Sequence, residues 1–205
     1  MSALSASDRT RVEAGIAAGE ARTGAELAVA VAAASDSYAA FSVLWASSLA
    51  LVAGGLTLVA IPEIAAATLF AIIAALFVGL GLVLHLPPLR ARLAPAKTRL
   101  AHARRLALVQ FATLVQGRTQ GRVGVLVFVS LAERHAEILV ERGIADVVPA
   151  TAWQGIVDRL VAEIAAGRLA EGLIGAIDAA ATLLAPHFPR RAEDRNEIPD
   201  RLTEL

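Results

Sequence analysis

The sequence predicts an α/β chain: a small α/β sandwich interrupted by a two-helix transmembrane hairpin. Three observations carry this. Two charge-free apolar stretches of 23 residues stand in tandem between Ala39 and Leu86. A short buried-strand pattern, Glu26–Ala32, precedes them, and two more strand patterns, Val123–Val129 and His135–Glu141, follow. Segments of helical period surround the strands, so their apolar faces need a sheet to cover.

The first element is a helix capped by Ser7 and running to about Arg22, with Val12 and Ile16 on one face. Thr23-Gly24 stops it, and ELAVAVA (Glu26–Ala32) reads as a buried strand. The chain then turns apolar. Between Asp36 and Arg90 the only formally charged residue is Glu63. Ala39–Ile61 and Ile64–Leu86 would each span about 34 Å as helices, enough for a hydrocarbon core of about 30 Å. Pro62-Glu63 breaks them, and Pro87-Pro88 ends the second. Two buried core helices of this length would need a larger enclosing core than 205 residues provide.

Small residues recur every fourth position: Ala46, Ala50 and Gly54 in the first apolar helix, Ala67, Ala71, Ala75 and Gly79 in the second. Such stripes are helix-packing surfaces in lipid. They pack on each other, or one of them receives a partner's helix. No ionisable residue sits mid-helix, which argues against a proton or ion pathway.

After the hairpin, Lys97–Gln116 reads as a helix with Leu100, Ala103, Ala107, Phe111 and Leu114 on one side, broken by Gly117–Gly121. Then come the two strands, a loop over Gly143–Pro149, and helices over Ala152–Ala166 and Leu169–Leu184. From Pro186 the tail is polar and is expected to be mostly irregular. The predicted organisation is residues 1–38 as the first part of a domain, 39–89 as the hairpin, 90–189 as the remainder, and 190–205 as the tail. The strand before the hairpin is expected to pair with those beyond it.

Charge is uneven. Eight basic and no acidic residues lie from Arg90 to Arg122. Six of them fall just after the second apolar helix, while the turn between the helices has none. The positive-inside rule then places both termini in the cytoplasm of a multi-pass inner-membrane protein. Arg90, Arg92, Lys97 and Arg99 are expected to contact anionic lipid headgroups. The N-terminal stretch lacks the basic and apolar regions of a signal peptide, so entry into the bilayer is expected through the internal segments. Aromatic interleaving is sparse and net charge is zero, so nucleic acid is not an expected partner. The expected partners are the bilayer and another membrane protein or complex.

With no cysteine, the chain has no disulfide, zinc–thiolate, iron–sulfur or thiol chemistry. No phosphate-binding or dinucleotide loop is present, and none of His85, His102, His135 and His187 pairs at a metal-type spacing. No cofactor or metal is expected. The candidate polar site is Glu26, Glu133 and His135, near strand ends that could share one edge of the sheet. Pairing with Arg22 and Arg134 is the plainer role for the two glutamates.

Several short motifs occur in a telling order. Thr23-Gly24-Ala25-Glu26 leads into the first strand; Gly124–Leu131 is followed by Ala132-Glu133-Arg134-His135, Ile138 and Gly143-Ile144. Trp153 opens the next helix, and His187-Phe188-Pro189 and Asn196-Glu197 lie in the tail. In this the chain resembles the TPM domain family, known from thylakoid lumen proteins linked to photosystem II repair and from bacterial membrane proteins. A hairpin placed where Ser35-Asp36-Ser37-Tyr38 leaves the first strand resembles a proteobacterial group. The resemblance implies helices around a small sheet, and acid phosphatase activity and calcium binding as attributed to plant members. The loop Gly117–Arg122 is basic and has no acid, so no metal site is carried over. The function expected is a non-catalytic accessory or assembly factor of a membrane complex; the alternative is a membrane-tethered TPM-type acid phosphatase.

Overall fold

The computed structural model describes residues 4–116, 123–191, 198 and 201–205. The expected break at Gly117–Gly121 and the Asn196-Glu197 motif lie outside the described residues. The chain divides into two compact units: residues 1–35 with 101–205, and residues 36–100.

In the first unit, β1 (Glu26–Ala32), β2 (Gly124–Ser130), β3 (His135–Val140) and β4 (Leu202–Glu204) form one sheet in the order β3-β2-β1-β4. β1 runs parallel to β2, Glu26 opposite Gly124 through Ala32 opposite Ser130, and parallel to β4; β3 is antiparallel to β2. β1 and β2 are therefore in register across the segment that separates them in sequence. Parallel strands need a crossover connection, and here the crossover carries the apolar hairpin.

Both faces of β1 and β2 are covered, which is why these strands are apolar without alternation. Leu27, Val29 and Val31 with Val125, Val127 and Val129 pack against α1 (Ala6–Glu20), α7 (Ala150–Ala165) and α8 (Leu169–Leu184). These helices contribute Val12, Ile16, Trp153, Ile156, Leu160, Leu173 and Ile177. On the other face Ala28, Ala30, Ala32, Leu126 and Phe128 meet Ala107, Phe111 and Val115 from α5 (Ala96–Leu114) and its end. Alanine from both sides lets this helix lie close, and Phe111 and Phe128 fill what remains.

The structure corrects the sequence reading in several places. The N-cap of α1 is Ser5, which accepts from the Asp8 amide at 3.1 Å, rather than Ser7. Leu100, expected on the inner side of α5, is 52% exposed. A short helix, α6 (Arg142–Ala145), replaces part of the loop expected after β3. The tail is not irregular throughout, since Leu202–Glu204 is a strand of the sheet and Ile198 is buried.

The second unit holds α2 (Ala39–Ala60), α3 (Ala66–Leu84) and α4 (Pro87–Leu93). α2 and α3 are long and apolar enough to cross a membrane. They pack on each other around a break at residues 61–65. Pro87 opens a new helix as well as following the old one, because the first helical position needs no amide hydrogen. The Ser42 hydroxyl donates to the Leu84 carbonyl at 2.8 Å, and Trp45 Nε1 donates to the Leu93 carbonyl at 3.3 Å.

The two small-residue stripes differ. Ala46, Ala50 and Gly54 are buried in the α2–α3 contact, where a Cβ on Gly54 would come within 2.5 Å of the Ile73 side chain. Ala67, Ala71, Ala75 and Gly79 are exposed, and a Cβ on Gly79 would meet nothing within 4 Å. The stripes therefore do not pack on each other. Period decides this: α3 presents bulky Ile73 into the groove that small residues leave in α2, and its own alanines fall on the far side.

Candidate functional site

Open parallel sheets place their sites beyond the C-terminal ends of the strands. Here those ends are Ala32 and Ser130, and the pairing continues past them: Leu131 N donates to Ala32 O at 3.0 Å and Ala132 N to Ala33 O at 3.1 Å. The turn 131–134 then reverses the chain into β3. It closes with Arg134 in the left-handed region at φ 52, as a tight four-residue loop requires of one member.

Three side chains meet at this end. The Ser130 hydroxyl donates to Glu133 Oε2 in a short hydrogen bond. Glu133 Oε1 accepts from the Ser35 amide at 3.0 Å. The Ser35 and Ser130 hydroxyl oxygens are 2.7 Å apart. A serine has one hydroxyl hydrogen. Ser130 gives it to Glu133, so Ser35 donates to Ser130. The network thus ties the segment leaving β1 to the turn leaving β2.

A hydroxyl held by a carboxylate is the arrangement of an activated nucleophile. Ser130, however, has no exposed surface. Its oxygen cannot reach a substrate without moving the turn, and both Glu133 oxygens accept hydrogen bonds inside the clamp.

His135 lies opposite Ser130 on β3, with Nε2 at 3.4 Å from Glu137 Oε1 two residues along the same face. Neither atom has a hydrogen-bond partner, and both are shielded from solvent. Beside them is a pocket of about 350 Å³ lined by Val129, Ser130, Leu131, Arg134, His135, Ala136, Val161, Ile164 and Ala165.

Glu26 stands at the opposite end of the sheet, opposite Gly124, about 20 Å from Ser130 at the usual strand rise. Its Oε2 accepts from the Ile198 amide at 2.9 Å, so it holds the tail. The sequence candidates therefore separate: Glu133 and His135 share one end and Glu26 the other. Among the described residues no three His, Asp or Glu side chains gather to hold a metal ion.

The motif residues at the Glu26 end are structural. The Thr23 hydroxyl donates to the Phe188 carbonyl at 2.9 Å, and the Gly24 amide donates to the same oxygen at 2.8 Å. Thr23 also bridges Pro189. Buried Glu20 accepts from the Leu27 amide at 2.8 Å. Sequence reasoning missed Ser35, Ser130 and Glu20. A serine ending an apolar strand three residues before a glutamate is a signal for Ser130, but nothing local marks Ser35.

Arg90 and Arg92 lie in α4, and Lys97 and Arg99 at the start of α5. Arg92 and Lys97 are exposed, while Arg90 and Arg99 each keep a shielded Nε with no hydrogen-bond partner.

Two comparisons bear on this geometry. Residues 97–183 match the family model of the TPM domain. The fold is similar to the solution structure of the BA42 protein from the psychrophilic bacterium Bizionia argentinensis. That likeness has a TM-score of 0.62 at 18% identity and covers 98% of this chain and 95% of that one. No curated protein sequence matches the chain. The matched segment runs from α5 through α8, and holds β2, the turn with Glu133 and β3. The motif order read from the sequence and the family match thus agree: over residues 97–183 this chain is similar to the TPM domain.

Proposed function

We propose that this is a multi-pass inner-membrane protein with both termini in the cytoplasm. In this reading its TPM domain serves as a non-catalytic accessory or assembly factor for another membrane complex. The observation that carries the reading is the place of Glu133: its two oxygens accept from Ser35 and Ser130 within a clamp whose Ser130 is wholly buried. Glu133, at the end of the sheet where a site belongs, is used to hold two loops together.

Two features support a membrane partner. The exposed stripe Ala67, Ala71, Ala75 and Gly79 lets another helix approach the α3 backbone closely. The run Arg90, Arg92, Lys97 and Arg99 suits anionic headgroups, at about 1 kcal/mol for each charge. For the alternative, a membrane-tethered TPM-type acid phosphatase, the family likeness speaks.

The test is a pull-down of the tagged chain from native membranes in mild detergent, with mass spectrometry. A stoichiometric membrane complex is expected, retained by Gly55→Ala, where a Cβ would meet nothing within 4 Å, and lost with Gly79→Leu. Recovery of the chain alone across several detergents would sink the accessory role. Metal-dependent hydrolysis of phosphomonoesters by the purified chain would favour the phosphatase. Topology is checked with single cysteines in this cysteine-free chain. Glu63→Cys is expected to react with an impermeant maleimide added outside, and Lys97→Cys is not.

A further inference from the structure

The pocket between the β2–β3 turn and α7 borders the clamp at Ser130 and lies outside the apolar hairpin. We infer that it binds a small organic monoanion, a carboxylate head on a compact apolar body. Its volume of about 350 Å³ lies in the range of small-molecule sites. Most of the wall is apolar: Val129 and Ala136 from the strands, and Val161, Ile164 and Ala165 from α7. Val161 is 41% exposed there, which is costly surface that a ligand's apolar body would cover.

The polar groups set the head. Arg134 lines the pocket, and its guanidinium has no acidic partner among the described residues. Arg9, Arg11, Arg22 and Arg168, by contrast, each have one. The left-handed backbone at Arg134 fixes where that side chain leaves the turn. A planar guanidinium matches a carboxylate with two parallel hydrogen bonds. His135 also borders the pocket, with its Nε2 3.4 Å from Glu137 Oε1.

Charge count limits the ligand to one negative charge. Glu137 stands 3.4 Å from His135, and Glu133 is the residue before Arg134. With one unpaired cation and two carboxylates at hand, a phosphate dianion is repelled where a monocarboxylate is not.

The experiment is a titration of the full chain in lipid nanodiscs, followed by the methyl resonances of Ala136, Ile164 and Ala165. The probes are 4-methylpentanoate, its uncharged amide and inorganic phosphate. Saturable shifts are expected with the carboxylate alone. Binding should weaken about tenfold or more in Arg134→Gln, the loss of one charge-assisted pair. Ala165→Leu, which fills the pocket from an exposed helical position and leaves every polar group in place, should block binding. The inference is overturned by the absence of saturable shifts at about 10 mM carboxylate, weaker than any specific small-ligand affinity. Equal binding of the amide, tighter binding of phosphate, or binding unchanged in Arg134→Gln would overturn it as well.

Discussion

At the start of β1 and β2, polar side chains are turned onto backbone: Glu20 onto the Leu27 amide, Thr23 onto the Phe188 carbonyl and Glu26 onto the Ile198 amide. At the far end the polar side chains hold one another, Ser35, Ser130 and Glu133 in one network beside a pocket. The first arrangement holds backbone in place. A buried amide has one hydrogen to give, and the fold uses it. The second joins two loops, and the adjoining pocket keeps an arginine with no acidic partner among the described residues. The stability of the molecule is invested at the first end and its chemical freedom at the second.

Four experiments break or sharpen that contrast. The largest effect is expected from Glu20→Ala, which strands the Leu27 amide in a site 2% exposed. A loss of about 2–3 kcal/mol follows from an unsatisfied buried donor. It is read by denaturant unfolding of the full chain through Trp153 fluorescence in a Trp45→Phe background. Glu133→Ala comes next, at about 1 kcal/mol, since water can reach the half-buried Ser35 amide and the Ser130 hydroxyl keeps Ser35 as a partner. A larger loss there than at Glu20 would invert the comparison.

Glu26→Ala is expected to cost about 0.5–1 kcal/mol, concentrated in the tail. Hydrogen exchange should quicken at the Leu205 amide, which donates to Val31 O at 2.9 Å, and stay slow in β2. Uniform quickening would show that Glu26 supports the whole sheet.

The smallest effect is acid sensitivity at the surface. The Ser5 hydroxyl, and after it Arg11, hold the Asp8 carboxyl below its ordinary 3.8. Arg168 likewise holds Glu163 below 4.5. A carboxylate with a lowered folded pKa stabilises at pH above its unfolded value. That contribution is lost as pH falls through the folded value, so the window lies below 4.5 for Glu163 and below 3.8 for Asp8. Both groups are exposed, so salt should erase most of the effect. Ser5→Ala should flatten the acid limb slightly, and an unchanged limb would remove Asp8 from the account.

Much of the fold was legible because its signals are local. The charge-free runs gave α2 and α3 within two residues at their ends, and the all-apolar VGVLVFV gave β2. Leu173, Ile177 and Leu184 recur at helical period, and all three are buried in α8. β4 was not legible. Three residues of polar tail carry no strand pattern, and Leu202–Glu204 are extended only because β1 offers an open edge.

The sequence by itself determined the apolar hairpin, the helices and strands of the domain, and the TPM-like order of motifs. Each follows from composition and period within one segment. Tertiary structure alone decided that Glu26 and Glu133 stand a strand's length apart, and that Ser35 meets Ser130 across 95 residues of chain. It alone turned one small-residue stripe inward and the other outward. Those outcomes depend on strand direction, register and helix rotation, which are set when distant segments bury one another.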